Sequence, residues 1–176
     1  MCTRQAAGKT KDPIRMIYEI HLYIPKGERL TPLMLEWLYE HGQESGQPEP
    51  FWPVYRIKPH AMARQMLKLD PLLVPVQGPG QDVELHYPNN AMGIVLYVHE
   101  RGVIIFFPYA AYGVYSRVVL GICYTYIRYL YDVAGFWSYD PQLDVLSFAD
   151  DFQSIEETAR LMDAIMPKML SGGSDD

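Results

Sequence analysis

Residues 103–142 read VIIFFPYAAYGVYSRVVLGICYTYIRYLYDVAGFWSYDPQ. Only Arg117, Arg128, Asp132 and Asp140 carry a formal charge in these forty residues, so most of the stretch must be buried. Val103–Phe107 is apolar at every position, which predicts a strand covered on both faces near the middle of a sheet. Pro108 and Gly113 bracket an aromatic connection. From about 116 to 134 the residues Val118, Val119, Ile122, Cys123, Tyr126, Ile127, Leu130 and Val133 recur at helical spacing, which predicts the main core helix. Gly135 stands where a helix end needs a left-handed residue, Phe136 follows as a hydrophobic clamp, and a strand starts there.

Working outward, Ile14–Ile24 alternates, with Tyr18, Ile20 and Leu22 on one face and Glu19, His21 and Tyr23 on the other. Thr31-Pro32 supplies an N-cap and a first helical position for a helix to about His41. Val54–Ile57 reads as a short edge strand between prolines, and Pro59–Leu69 as an amphipathic helix. Val74–Gln81, with two prolines and two glycines, reads as a loop. Asp82–Tyr87 and Gly93–His99 are strands, and Glu100-Arg101-Gly102 turns the second back into Val103–Phe107. Ser154-x-x-Glu157 is a capping box for a last helix to about Leu170. The order β-α-β-α-β-β-β-α-β-α predicts an α+β fold. It is a single layer of largely antiparallel or mixed sheet, about five or six strands, with helices packed mainly on one face. The domain is expected over residues 14–170, with a disordered tail at 1–13 and an acidic tail at 171–176.

Composition narrows the function. The chain of 176 residues, 49% hydrophobic and 20% charged, suits one core and is too short for two. A formal net charge of −6 with scattered basic residues argues against a nucleic-acid partner and fits a basic protein. Cys2 and Cys123 make no disulfide framework, and MCTRQAAGKTKDP lacks an apolar segment, so the expected location is cytoplasmic. A membrane span needs roughly 20 apolar residues in one helix, and Pro108, Gly113 and Arg117 interrupt the only candidate.

Two sets of residues could carry function. The polar strand faces hold Glu19 and His21, Glu84 and His86, and His99, a donor set suited to zinc or another divalent metal if register aligned them. Ordinary alternation on a solvated sheet face is the plainer explanation, since no His-x-x-x-His pair occurs. Nucleophile elbows, phosphate loops and dinucleotide motifs are missing, and Cys123 lies on an apolar helix face. The second set is aromatic and basic. Arg117, Tyr124 and Arg128 share one stripe of the long helix, joined by Tyr131, and Tyr139 and Asp140 follow in the next strand. Tyrosine with arginine is typical of binding hot spots, whereas pairing of Arg128 with Asp132 would make the stripe structural. Asp140 before Pro141 also suits a turn.

Gly135-Phe136-x-x-Tyr139-Asp140-Pro141-Gln142-Leu143, placed after a long helix and before a capped last helix, resembles the C-terminal third of small uncharacterised bacterial α+β proteins. Some of these resemble immunity proteins, which neutralise a toxin by binding it. That resemblance implies a protein partner and no catalytic residues. The leading expectation is therefore a non-catalytic protein-binding module with no cofactor, acting by occlusion of another protein, for which a basic partner fits the charge. The rivals are a small metal-dependent hydrolase using His21, His86, His99, Glu19 and Glu84, and a small-ligand sensor with an aromatic pocket around Tyr109–Tyr115.

Overall fold

The computed structural model describes residues 17–28, 30–41, 52–108, 114–147 and 156–164. Within them the chain forms β1 (Ile17–Tyr23), α1 (Pro32–His41), α2 (Pro59–Leu69), β2 (Val74–Gln77), β3 (Val83–His86), β4 (Val95–His99), β5 (Gly102–Pro108), α3 (Val114–Ala134), β6 (Trp137–Asp140) and β7 (Val145–Ser147). Residues 156–164 form a further helix, α4. The expected tails, Gly42 and Ser154 of the proposed helix ends, and most of the aromatic connection lie outside the described residues.

All seven strands join one antiparallel sheet in the order β2-β3-β4-β5-β1-β6-β7. The fold is α+β, as the element order predicts, with β5 at the centre of the sheet. Two strands exceed the expectation. β2 lies in the stretch read as a loop, and β7 returns from β6 through a turn at Pro141–Asp144. Conversely, Val54 makes only an isolated bridge to Pro25 and not an edge strand.

Alternation decides which side of the sheet each residue takes. Tyr18, Ile20 and Leu22 of β1 oppose Phe107, Ile105 and Val103 of β5, and Leu96 and Val98 of β4 continue the same face. This first face is the main core, closed by Ala63 and Met66 of α2, by Val119, Leu120, Cys123, Tyr126, Ile127 and Leu130 of α3, and by Ala159 and Met162 of α4. Tyr18 stacks on Phe107 with ring centroids 4.9 Å apart. A smaller second core lies on the opposite face at one end, where Leu35 and Leu38 of α1 meet Tyr23, Leu30, Trp52 and Val54. Among the described residues three helices thus cover one face, and α1 with Trp52 and Val54 covers part of the other.

The caps follow the sequence. Thr31 Oγ1 accepts a hydrogen bond from the Met34 amide at 3.3 Å, and Pro59 opens α2. Gly135 has φ +71°, and its amide donates to Tyr131 O at 2.8 Å, ending α3 as a left-handed cap. α3 rolls slightly from its expected orientation: Val118 and Val133, read as inward, are exposed. Among the described residues no helix is long and apolar enough to cross a membrane.

Candidate functional site

The second sheet face carries the polar residues singled out in the sequence. On β1, Glu19, His21 and Tyr23 project from it at i, i+2 and i+4 and form a chain of contacts. The Tyr23 hydroxyl lies 3.0 Å from His21 Nδ1, and His21 Nε2 lies 3.4 Å from Glu19 Oε1. Burial, with Glu19 and Tyr139 adding to it, pushes the Tyr23 hydroxyl far above its ordinary range, so it remains a phenol and no nucleophile.

His99 belongs to the same neighbourhood. It pairs with Gly102 in the β4–β5 ladder, and a Cβ at Gly102 would lie 2.3 Å from Leu22 O and 3.1 Å from the Tyr23 ring. Only glycine permits that close approach of β5 to β1. Tyr97 stacks on the His99 ring at 5.7 Å, and His99 Nδ1 accepts the Arg101 amide at a long 3.4 Å. His99 Nε2 is buried and has no hydrogen-bond partner among the described residues. Burial, reinforced by His21 and Arg101 and opposed by Glu100, lowers its pKa to about 4. Arg101 is itself buried and places its guanidinium 4.2 Å from the centre of the Trp52 ring.

The metal expectation needed three imidazoles to converge. The sheet brings His21 and His99 into one neighbourhood and keeps His86 apart, opposite Val95 and four residues along β4 from His99. There His86 Nε2 pairs with Glu84 Oε2 at 2.7 Å. Among the described residues no three His, Cys, Asp or Glu side chains are grouped to hold a metal ion. The set His21, His86, His99, Glu19 and Glu84 is therefore two separate pairs plus His99.

The aromatic and basic set is held mainly by the protein's own groups. Arg117 donates to both carboxylate oxygens of Glu156 on α4 at 3.2 Å and lies 3.5 Å from Asp163, which raises its pKa further. Arg128 pairs with Asp132 at 3.1 Å, one helical turn on. Tyr124 and Tyr131 are half-buried against the main core, and the Tyr139 hydroxyl donates to Asp144 Oδ1 at 3.1 Å. Asp140 organises the β6–β7 turn: Oδ1 accepts the amides of Gln142 at 2.9 Å and Leu143 at 3.2 Å, and Oδ2 accepts the Tyr18 hydroxyl. A recess beside it, lined by Ile20, Tyr124, Ile127, Ser138, Asp140, Leu143 and Val145, has room for about one water molecule. Cys123 is fully buried, and burial pushes its thiol far above the usual range.

What sequence reasoning missed is β2. Each of its four residues is exposed, with Val74 at 52% and Val76 at 44%, and the preceding Leu72 at 70%. Val74 and Val76 share the second face with Glu84, His86, Val95 and Tyr97. Tyr97 donates to Asp82 there, and its pKa is pushed up to about 12 by burial and by that bond. Valine at 74 and 76 is an alternation signal, masked in the sequence by Pro75 between them and by Gly78-Pro79-Gly80 that follows.

Chemically, the described residues supply a neutral buried imidazole, closed ion pairs, an inert thiol and an exposed apolar edge. No protein-family model matches the chain, and neither a curated protein nor a solved structure matches it.

Proposed function

We propose that the protein is a non-catalytic binding module of the cytoplasm that docks another protein on the β2 side of its open sheet face. The observation carrying this reading is the exposure of Val74 and Val76 on an edge strand, with an exposed Leu72 in the turn before it, where a domain with no partner gains by being polar. Pro75 lacks an amide hydrogen, which disfavours extension of the sheet by a foreign strand and favours docking through side chains. Acidic residues flank the patch at Asp82 and Glu84, and the formal net charge is −6, so the matching surface is apolar at its centre and basic around it. An immunity-type role, in which the partner is neutralised by being covered, fits both features and the resemblance of the Gly135–Leu143 motif.

The test is direct titration against basic, toxin-like proteins encoded beside this gene. A stoichiometric complex is expected with one of them. Val74→Asp together with Val76→Asp should weaken it by tenfold or more while leaving the thermal midpoint of the free protein within a few degrees. Equal affinity of the double variant, or no complex with any neighbour, refutes the proposal.

A further inference from the structure

The second core is tied to the sheet through a cluster of groups that can bear positive charge. His99 reaches it from β4, His21 from β1 and Arg101 from the turn between β4 and β5. Trp52 stacks against Arg101, and Tyr23, which contacts His21, is itself a member of the second core. We propose that His99 is a proton-operated latch: when it takes up a proton, α1 and Trp52 come away from the sheet while the main core stays folded. This device is independent of partner binding at β2.

The argument rests on what surrounds His99. Its Nε2 is buried with no hydrogen-bond partner among the described residues, and its Nδ1 makes one long contact to a backbone amide. Among the described residues neither nitrogen is hydrogen-bonded to a carboxylate that could hold a proton on the ring. The acids nearby are engaged elsewhere: Glu100 with Arg56 at 2.8 Å and with Arg101 at 3.7 Å, and Glu19 Oε1 lies 3.4 Å from His21 Nε2. Among the described residues this face also carries the phenols of Tyr97, Tyr23 and Tyr139 and, farther along β3, the Glu84–His86 pair, with Asp82 accepting the Tyr97 hydroxyl. A proton on His99 therefore meets the fixed charge of Arg101 in a place with little water, where like charges repel strongly. Opening relieves both costs, because the ring regains water and its ordinary affinity near pH 6.5. The sign follows: neutral His99 supports the closed form above pH 6.5, and that support is lost as pH falls from there towards 4, its value in the closed form. The second core is small enough to open by itself, with six buried apolar residues described.

Trp37 and Trp52 pack edge to face with centroids 5.0 Å apart, so once the third tryptophan, Trp137 of β6, is replaced by Phe, emission reports the second core. With this full-length variant taken from pH 7.5 to 4, emission should change between pH 6.5 and 4 while far-ultraviolet circular dichroism keeps most of its amplitude. His99→Phe, which keeps the ring and cannot be protonated, should remove that change or lower its midpoint by at least one pH unit. Titration of Glu19 or Glu100 as the cause predicts an unaltered midpoint in His99→Phe and overturns the latch. Coincident loss of both signals, or no emission change above pH 4, also overturns it. If His99→Phe does not fold, the wild-type His99 ring proton followed by magnetic resonance decides: its titration must coincide with the emission change, and separate midpoints refute the proposal.

Discussion

The carboxyl of Asp140 accepts three hydrogen bonds, yet its pKa stands above the ordinary carboxylate value. Burial raises its pKa, and the donors Tyr18, Leu143 and Gln142, with the nearby His21, only partly offset this. A raised native pKa means that Asp140 supports folding fully below its unfolded value of about 4, and that this support is lost as pH rises through the native value. The neutral isostere should then suit the site better at neutral pH. Asn at 140 keeps an oxygen for the two turn amides and offers an N–H to the Tyr18 hydroxyl. Asp140→Asn is expected to lie within about 1 kcal/mol of wild type at pH 7, or to be more stable, with the difference moving in its favour from pH 5 to 8. Asp140→Ala leaves buried donors unmet and should cost about 2–4 kcal/mol. Urea unfolding at several pH values measures both, and an Asn variant as weak as the Ala variant would show that the charge itself holds the turn.

At the scale of elements, α3 separates what its sequence could say from what packing added. Its existence, its length to within a turn and its Gly135 cap follow from spacing and from one residue able to take positive φ. Which residues lie deepest does not: Val118 and Val133 are as apolar as Val119, and only the line of approach of the helix to the sheet leaves them exposed. β5 was legible for a different reason, through five successive apolar residues. β2 and β7 were not, because strands of four and three residues carry too few alternations to outweigh the prolines and glycines beside them. The candidate site was legible as residues and illegible as an arrangement. His21 and His99 come near each other only because β5 is seated between β4 and β1, a long-range pairing that no local spacing records. Cys123, in contrast, sits where the helical spacing puts it. In a Cys2→Ser variant, a water-soluble disulfide reagent should fail to label Cys123 in the folded protein over hours and label it fully in denaturant. Rapid labelling without denaturant would mean that α3 leaves the sheet readily.

Over the whole molecule the sheet order sets where stability resides. β1 is first in sequence, yet it lies between β5 and β6, with ladders to both. Neither ladder can close until most of the chain has been made, so the strand that unites the two halves of the sheet depends on contacts far apart in sequence. Once closed, β1 and β5 are the most enclosed elements, with the main core on one face and Ile104, His21 and Tyr23 buried on the other. α1 has a different standing. Its described packing is to the small second core, and two of its apolar residues, Leu33 and Met34, face solvent. Local opening free energies scale with the buried contacts that each unit loses, so the molecule should open in two steps. Amide hydrogen exchange at neutral pH is expected to be slowest in β1, β5 and the buried turns of α3, at the global unfolding free energy. Amides of α1 and the Lys26 amide, which bonds to Pro53 O, should exchange through a smaller opening, at least about 2 kcal/mol cheaper. Added denaturant should speed exchange in β1 and β5 with a steep slope and in α1 with a shallow one, since less surface is exposed in the smaller event. A single slope and a single free energy for all these amides would mean that the two cores act as one cooperative unit. The acid release of α1 would then have to unfold the whole sheet.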